Sequence, residues 1–593
     1  MTAIITDKQN IAKQIALALN IELKSNNENC FRGNGFIVVW ISGELISFLP
    51  LEYYGKKRFH KDDLPFIPKA FILGVCKQKI ENKSVSTSAT DKTVIKQLDI
   101  IKKIFDECKS IIVATEPNEK GELSFRNIYA YLQCNKPFKR LRINSLTLKA
   151  INEGLKNLIE GSLYDNLYAA ADCRAKADYL FSVNISRAFS LATRMLNQPL
   201  GRMEMPALAM VCKRFAENRT FTADRFSEHG ITLEKDEQYR YFRIFGTIGK
   251  KKKTEKLYEQ LKTYKEAQIT QVKTRTAIQP APLLYNLTEL QKEACIRYGF
   301  SGAKTMEITK KLYEEKLISY PLTDSRCIPE TVFTDVYKII RQTAEYCEMT
   351  DKLEVINPSD LNKRSVGNIQ LTEHYALIPT GIYPPFLSKE DKLIYKLIVV
   401  RTFEAFAPDC LYEITSVKAV CGSMVLESSV SKIIRSGWRM IQNREKDRME
   451  NELKANEVFP DFVKGESIRI SGWNLLTKKT LLKPLYIEAS LLSAMENACL
   501  GVSETRAEII ETLLSCGYVE RKKQHLIPTE KGQVIYNCIK NMRIADIELA
   551  TSWENMLTDI RRGKQSAETF TRAFEIFIKQ ATEEILSFQK PVL

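Results

Sequence analysis

Residues 110–123 read SIIVATEPNEKGEL, an apolar stretch that ends in an acidic turn. The run Ser110–Thr115 is almost wholly apolar, which is typical of a strand buried on both faces of a parallel sheet. Sheets of this kind carry their functional residues just beyond the carboxyl ends of the strands. The stretch therefore predicts an α/β domain with a site at the turn that begins with Glu116.

The rest of the first 150 residues alternates between strand and helix patterns. Short apolar runs predict strands at Ala3–Thr6 and Phe36–Ile41. The spacing of apolar residues predicts helices at Asn10–Leu19, Val94–Cys108 and Glu122–Leu132. We expect one α/β domain to occupy residues 1–150.

After residue 150 the pattern changes repeatedly. The successive segments are predicted as helical, β-rich, helical, β-rich and helical: 149–216, 220–275, 285–350, 411–475 and 488–593. Within them we expect a strand at Tyr239–Ile248 and a break in the helical pattern at Ser319–Ser325. This order indicates that the chain leaves one domain and later returns to it.

Length and charge narrow the class of protein. A chain of 593 residues is too long for one core and predicts about three to five domains. Lys and Arg number 88 against 72 Asp and Glu, a formal net charge of +16. This excess favours a polyanionic partner such as nucleic acid, with a generally basic surface as the alternative. The run Lys250–Lys253 has two interpretations as well, a grip on phosphates or a solvated turn.

Cysteine usage argues against a zinc site and against secretion. The 14 cysteines are scattered without a CxxC pair, and only four histidines are present. The start, Met1–Lys8, enters a predicted strand directly, without the pattern of a signal peptide. No apolar run reaches the ~18 residues that a membrane helix needs. We expect a cytoplasmic protein with reduced thiols, no zinc and no membrane contact.

Two acidic turns follow predicted strands. Asp7 and Lys8 follow the first strand, and Glu116 follows Ser110–Thr115. If these strands are neighbours, the turns converge, and carboxylate oxygens there suit a divalent ion. Either turn alone has a simpler interpretation, since acidic residues also favour the first turn of a helix.

Two further residues are candidates for chemistry on a phosphodiester. Tyr320 lies in the turn SYPLTDS, where an exposed phenol can attack phosphorus and form a phosphotyrosine. The chain has 24 tyrosines, so a structural role is the alternative. His374, one of four histidines, is a protonatable group that can contact a phosphate or simply pack.

These segments, in this order, resemble the core of type IA DNA topoisomerases of the topoisomerase III kind. The resemblance runs from Ile4 to about Phe570. The segments that carry it, with family patterns in parentheses, are IITDKQNIAKQIA (VEKPSxAKxIA), Phe36–Leu45, IIVATEPNEKGEL (ATDxDREGEL), KRLRINSLTLKAI, SLYDNLYAAADCRAKADYLFSVNISRAFS, LGRMEMPALAMV (GRVQTPTLALV), SYPLTDS (TYPRTDS), LTEHYALIPTG (DHHAIIPTG) and VSETRAEIIETLLSCGYVERKKQHLIPTEKG (TxATRAEIIExLxxRGYIExxxxxLxPTxxG).

The resemblance implies a multidomain fold, α/β plus mainly helical, in which four domains form a toroid around a hole that can hold DNA. Residues 1–150 correspond to a Toprim α/β domain, and residues 276–404 to the domain that carries the nucleophile. The other two domains are each built from two stretches: a helical DNA-groove domain from 151–215 with 476–593, and a β-rich hinge domain from 216–275 with 405–475.

The resemblance also implies a reaction. Tyr320 would attack single-stranded DNA, become joined to the 5′-phosphate, let another strand pass and reseal the break. No ATP is needed, and the sequence has no GxxxxGK[ST] loop. The remaining site residues carried over are Lys8 and Asp7 in catalysis, His374 at the scissile phosphate, Arg174, Asp178, Arg202 and Arg506 along the DNA, and Asp7 with Glu116 as metal ligands. We expect a monomer, with a helicase as a candidate partner.

The departures from the family pattern cluster at the chemistry. The acidic turn offers Glu116, Asn118 and Lys120 where the pattern has Asp, Asp and Glu, so one carboxylate of three remains. An ammonium at a ligand position repels a cation. We therefore expect Mg²⁺ to be held weakly or to be dispensable. The other departures are Asp7 for Glu, Glu119 for Arg, Glu204 for Gln and Leu322 for the Arg two residues after the nucleophile.

Three functions remain open on the sequence. The first is an active type IA topoisomerase, which the retained nucleophile turn favours. The second is a catalytically degenerate homologue that only binds single-stranded DNA, which the lost carboxylates favour. The third is another Toprim enzyme, such as a primase or nuclease, although those share only the N-terminal domain and the resemblance here continues to about Phe570.

Overall fold

The computed structural model describes most of the chain. The described residues are 1–23, 29–55, 60–76, 92–195, 198–244, 258–367, 374–382, 386–442 and 460–588. The basic run Lys250–Lys253 lies outside them, as do the end of the predicted strand Tyr239–Ile248 and residues 371–373 of the LTEHYALIPTG segment.

The N-terminal part is an α/β structure. Its strands are β1 Thr2–Thr6, β2 Cys30–Gly33, β3 Phe36–Trp40, β4 Ile46–Phe48, β5 Leu73–Val75, β6 Ser110–Ala114, β7 Phe138–Arg140 and β8 Ile159–Glu160. Its helices are α1 Gln9–Ala18, α2 Lys92–Glu107, α3 Glu119–Tyr131 and α4 Leu148–Lys156. Six strands form one sheet in the order β2-β3-β1-β6-β7-β8, and β4 pairs with β5 separately. The predicted α/β class is confirmed.

Strands β1 and β6 lie side by side and parallel, with Thr6 opposite Ala114. Both strands are buried, which explains their uninterrupted apolar sequences. Asp7 and Glu116 follow these strands, so the two acidic turns meet at the carboxyl edge of the sheet. The predicted convergence is confirmed.

Helix α3 begins earlier than predicted, at Glu119 instead of Glu122. Asn118 is the reason, because its side-chain oxygen accepts a hydrogen bond from the Gly121 N–H at 2.9 Å and caps the helix. The acidic turn is therefore held against the first turn of α3.

The remaining helices bury two large cores. In chain order they are α5 Asp165–Thr193, α6 Glu204–Arg219, α7 Leu287–Tyr298, α8 Gly302–Glu314, α9 Glu330–Phe333, α10 Val336–Tyr346, α11 Lys389–Phe406, α12 Glu488–Asn497, α13 Ser503–Ser515, α14 Glu530–Ile539, α15 Ile547–Arg561 and α16 Ala567–Leu586. Helices α5, α6 and α12–α16 share one core, in which Phe181 stacks on Phe577. Helices α7–α11 share the other core with one face of the N-terminal sheet.

Six strands close into an antiparallel barrel. They are β9 Arg225–Lys235, β10 Gln238–Ile244, β11 Glu266–Gln279, β12 Cys410–Cys421, β13 Met424–Arg435 and β14 Ser467–Lys479, in the order β10-β13-β12-β11-β14-β9. Pairing of β9 with β10 completes the ring and removes exposed strand edges. Three strands precede α7–α11 and three follow them, so the chain leaves the barrel and returns, as the sequence predicts.

The C-terminal part contains one short hairpin, β15 Val519–Lys522 with β16 His525–Pro528, which the sequence pattern did not predict. Among the described residues, no helix combines the length and apolarity needed to span a membrane. The boundaries of the four domains stay a prediction, although the barrel and the two helical cores follow the expected order.

Substitution of Gly121 tests how tightly the acidic turn is packed. A Cβ at this position would lie 2.1 Å from the Glu116 carbonyl oxygen, so Gly121→Ala must displace backbone. Such overpacking typically costs about 1–3 kcal/mol, and we expect the melting temperature to fall by a few degrees. Gly472→Ala is the control, because its nearest neighbour lies at 3.8 Å. Equal melting temperatures for both variants would contradict this packing.

Candidate active site

Tyr320 lies in the turn that follows α8, and only 3% of its surface is exposed. Its backbone N–H donates to the Asn144 carbonyl oxygen at 2.8 Å, which ties the turn to the segment that leaves the sheet. The ring centroid lies 4.0 Å from that of His374 and 5.4 Å, edge-on, from that of Tyr313. The phenol is therefore positioned by packing on two sides and by its own backbone.

The Tyr320 hydroxyl oxygen accepts a hydrogen bond from the Asn118 side-chain amide at 3.1 Å. The same nitrogen lies 3.2 Å from a carboxylate oxygen of Glu116 and 3.3 Å from each carboxylate oxygen of Glu504. The nucleophile candidate, the acidic turn and the start of α13 thus meet around one amide nitrogen.

The carboxyl groups here are crowded. Asp7 accepts a hydrogen bond from the Glu116 backbone N–H. Burial, together with the negative charge of Glu116, raises the pKa of Asp7 to about 7. The same two causes raise the pKa of Glu504 to about 8. Burial and the charges of Glu116 and Glu504 raise the pKa of Tyr320 well above its usual value, so the phenol is protonated at neutral pH.

Lys8 and His374 both lie near the turn but differ in character. The Lys8 ammonium is 2.6 Å from Glu314 of α8, and its side chain is 42% exposed. His374 is buried, and its Nδ1 lies 2.6 Å from the Asn144 side-chain oxygen. Burial, with the positive charges of Arg142 and Arg140, lowers the pKa of His374 well below its usual value. The imidazole is therefore neutral, and only its Nε2, which has no partner within the described residues, is available to a phosphate.

The predicted DNA-contacting arginines form a buried ionic network. Arg174 binds Glu119 at 2.7 Å and Glu554 at 2.7 Å. Arg202 binds the same Glu554 at 2.9 Å and Asp178 at 2.8 Å. Both guanidinium groups are thus neutralised by carboxylates in the structure.

The remaining predicted arginine and two positions that depart from the family pattern differ in exposure. Arg506 is buried and donates to the Thr288 hydroxyl at 3.1 Å. Leu322, which replaces an arginine of the family pattern, is buried in the core shared with the sheet. Lys120 is exposed at the start of α3. The structure therefore brings together Tyr320, Asp7, Glu116 and His374, and holds the arginines in a neighbouring network.

Comparisons with known proteins agree with this arrangement. The chain matches the Toprim domain over residues 2–146 and the DNA topoisomerase family over residues 162–572. It is 30% identical to DNA topoisomerase 3 of Bacillus subtilis (strain 168), over 98% of this chain and 82% of the relative. It is also 30% identical to DNA topoisomerase 3 of Bacillus anthracis, over 99% of this chain and 82% of the relative.

A solved structure supports the fold. Full-length topoisomerase I from Thermotoga maritima superposes with a TM-score of 0.72 at 20% identity, over 98% of this chain and 90% of that chain. The match extends well past the Toprim domain, which excludes an enzyme that shares only that domain.

The chain belongs to the type IA DNA topoisomerase family. In this topoisomerase the cavity beside Tyr320 is small, about 20 Å³, and is lined by Glu116, Pro117, Tyr313 and Tyr320 among others. The described residues contain no group of three or more His, Cys, Asp or Glu side chains that could hold a metal ion. Asp7 and Glu116, the two predicted ligands, lie together at the acidic turn.

Sequence reasoning missed three residues of this topoisomerase site. Glu504 and Glu554 come from the C-terminal helices, and Asn144 comes from the segment after the sheet. Glu504 had a detectable signal, because it stands where the family pattern TxATRAEII has alanine. The roles of Glu554 and Asn144 depend on contacts between distant parts of the chain, which spacing does not reveal.

The raised pKa of Asp7 predicts a pH-dependent stability. Asp7 ionises near its usual value of 3.8 in the unfolded chain and near 7 in the folded one, so the folded state binds more protons between these values. Stability is therefore lost as the pH rises through this window. Asp7→Asn should be more stable than the parent, by a margin that grows up to about pH 7 and then stays constant.

Thermal unfolding in metal-free buffer measures this margin. Asp106→Asn is the control, because it makes the same chemical change at an exposed position on α2, away from the site. A margin for Asp7→Asn that does not vary between pH 5 and pH 8 would contradict the assignment.

Proposed function

We propose that this topoisomerase cuts one strand of single-stranded DNA through Tyr320, remains joined to the 5′-phosphate, and reseals the strand without ATP. The position of the Tyr320 oxygen carries the proposal, since it lies 3.1 Å from the Asn118 amide at the carboxyl edge of the Toprim sheet. A phenol held between an acidic turn and a histidine is placed for attack on a phosphodiester. The relatives named DNA topoisomerase 3 support the same activity.

The reaction keeps the energy of the broken phosphodiester bond in the bond between Tyr320 and phosphorus. In cleavage, a bond forms between the Tyr320 oxygen and phosphorus while the bond from phosphorus to the 3′-oxygen breaks. The phenol releases its proton to water, and the leaving 3′-oxygen takes one from its candidate donor, the Lys8 ammonium. Resealing is the reverse attack by the 3′-hydroxyl, and so no external energy source is required.

Access to Tyr320 requires the surrounding parts to separate. The phenol is 3% exposed, and the contacts that close the site include the Lys8–Glu314 pair at 2.6 Å. This pair is partly exposed, and such pairs contribute only about 0–1 kcal/mol. We infer that it breaks readily, which would free Lys8 for a DNA phosphate.

The buried arginines would bind DNA by exchanging partners. Arg174 and Arg202 share the carboxylate of Glu554 in the structure. A DNA phosphate can replace a carboxylate as the partner of a guanidinium group. Binding by such contacts releases counterions, so affinity should fall steeply as salt rises. Arg506 lies on α13 and would contribute through the position of that helix.

Toprim domains generally bind Mg²⁺. Asp7 and Glu116 would hold the ion here. Burial and the charge of Glu116 raise the pKa of Asp7, and a cation relieves such repulsion. Mg²⁺ commonly uses one or two carboxylates and completes its shell with water. When bound, it would supply positive charge near the attacked phosphate. We propose that the ion is held weakly, because Asn118 and Lys120 offer no carboxylate.

We also propose a localisation, an oligomeric state and a partner for this enzyme. We infer a cytoplasmic enzyme that acts on single-stranded DNA as a monomer, needs no zinc, and can work beside a helicase that opens the duplex. A homologue that grips DNA without cutting it is the alternative that the next experiment distinguishes.

Tyr320→Phe should abolish cleavage. Labelled single-stranded DNA is mixed with protein, denatured and separated on a gel, and supercoiled plasmid is relaxed in parallel. We expect a DNA-linked protein band and relaxation with the parent protein, and neither with Tyr320→Phe, because no hydroxyl remains to attack.

Tyr313→Phe is the matched control, since Tyr313 packs edge-on against Tyr320 and loses the same atom. It should retain the adduct and relaxation. An adduct that persists in Tyr320→Phe would contradict the proposed nucleophile. Tight DNA binding by the parent protein with no adduct would indicate the gripping homologue instead.

A further inference from the structure

Two departures from the family pattern meet in space. Asn118 stands in the acidic turn where the pattern ATDxDREGEL has its second Asp, and Glu504 stands where TxATRAEII has Ala. The two positions are 386 residues apart in the chain. In the structure the Asn118 amide nitrogen lies 3.3 Å from both carboxylate oxygens of Glu504. Relative to the family pattern, position 118 has lost a carboxylate, and position 504, which lies beside it in the structure, has gained one.

The orientation of the Asn118 amide is determined by its surroundings. Its oxygen accepts from the Gly121 N–H at 2.9 Å, so its nitrogen must be the atom that faces the site. That nitrogen can donate two hydrogen bonds and cannot accept one. Around it lie the Tyr320 oxygen at 3.1 Å, Glu504 at 3.3 Å and Glu116 at 3.2 Å. Three acceptors thus compete for two N–H groups.

We propose that Glu504 is a positioning residue for Tyr320: an oxygen of its carboxyl group accepts one N–H of Asn118 and thereby directs the other N–H at the phenol oxygen. This inference rests on the proposed function, in which that oxygen attacks phosphorus. Glu504 acts through Asn118 and does not itself touch the reacting atoms.

The directed N–H has a chemical consequence. In resealing, the 3′-hydroxyl gives its proton to the neutral Lys8 amine left by cleavage and attacks phosphorus. The bond between phosphorus and the Tyr320 oxygen breaks, its electron pair stays on the phenol oxygen, and that oxygen then takes up a proton from water. A donor aimed at the atom where negative charge develops stabilises that transition state. An Asp at position 118 has no such hydrogen. The Asn118 amide therefore gives this chain a donor to the phenolate that the family pattern lacks.

Glu504 also makes the arrangement depend on closure. It lies in the first turn of α13, whereas Asn118 caps α3 of the Toprim sheet. The pair from Arg174 to Glu119, 2.7 Å long, spans the same junction between sheet and helices. The N–H is therefore directed at Tyr320 only while these parts are together, which is the state in which cutting and resealing take place.

Glu504→Met and Glu504→Gln test the proposal as a pair. Both keep the length of the side chain, but only Gln retains an oxygen that can accept from Asn118. Single-turnover cleavage of labelled single-stranded DNA and resealing after salt addition are measured, and DNA affinity is measured separately in the Tyr320→Phe background. Glu508→Met is the control, because Glu508 is exposed one turn along the same helix.

We expect Glu504→Met to slow cleavage and resealing by about 10- to 100-fold, a range below that for losing a transition-state donor outright. Glu504→Gln should stay within a few-fold of the parent, and DNA affinity should change by less than about two-fold in both, since the proposed role of Glu504 is to orient Asn118 and not to bind DNA. Melting temperatures check the fold, and removal of a crowded carboxyl should not lower them.

Two results would overturn the proposal. One is a Glu504→Met protein that cuts and reseals like the parent and like Glu508→Met. The other is equal slowing in Glu504→Met and Glu504→Gln, which would mean that charge and not hydrogen-bond acceptance matters. A parent protein that forms no adduct would overturn the proposed function as well, and so the two failures are distinguishable.

Discussion

A hydrogen bond from the Asn118 amide to the Tyr320 oxygen joins the Toprim sheet to the turn that carries the nucleophile. The residues are 202 positions apart, so the contact requires the long-range packing of the whole molecule. Pairing of β1 with β6 places the acidic turn at the edge of the sheet. The hydrogen bond from the Tyr320 backbone N–H to the Asn144 carbonyl oxygen then fixes the position of the phenol relative to that turn. The active site exists only where these elements meet.

The active site is rich in carboxyl groups, although the molecule as a whole carries a net positive charge. The chain has a formal net charge of +16, yet the phenol is surrounded by carboxyl groups whose pKa values are raised by burial and mutual repulsion. Arg174 and Arg202 are neutralised by Glu554. In the proposed mechanism, DNA phosphates replace carboxylates as the partners of these arginines, which exchanges one set of charged hydrogen bonds for another.

The departures from the family pattern form a connected set. Glu119 replaces an arginine and binds Arg174, while Asn118 replaces an aspartate and binds Glu504. Both contacts link α3 to the helical part. The altered acidic turn has thus lost carboxylates that suit a metal ion and has gained contacts that hold the molecule closed. This combination explains how the nucleophile turn can be retained while the metal ligands change.

Much of this arrangement could be predicted from the sequence, because its signals are local. The apolar run before Glu116 predicted a buried strand, and the turn SYPLTDS placed Tyr320 after a helix. The closed pairing of the arginines could not be predicted, since Glu554 is 380 residues from Arg174 and spacing carries no information at that distance. The neutral state of His374 could not be predicted from the sequence either, because burial and the charges of neighbouring arginines determine it.

The proposed mechanism requires that Tyr320 itself becomes joined to the 5′-phosphate of DNA. This is tested by trapping the protein on single-stranded DNA, digesting both components, and identifying the modified peptide by mass spectrometry. We expect a nucleotide attached through its 5′-phosphate to the peptide that contains Tyr320. A nucleotide on another residue, attachment through a 3′-phosphate, or unmodified peptide from protein that still binds DNA tightly would contradict it.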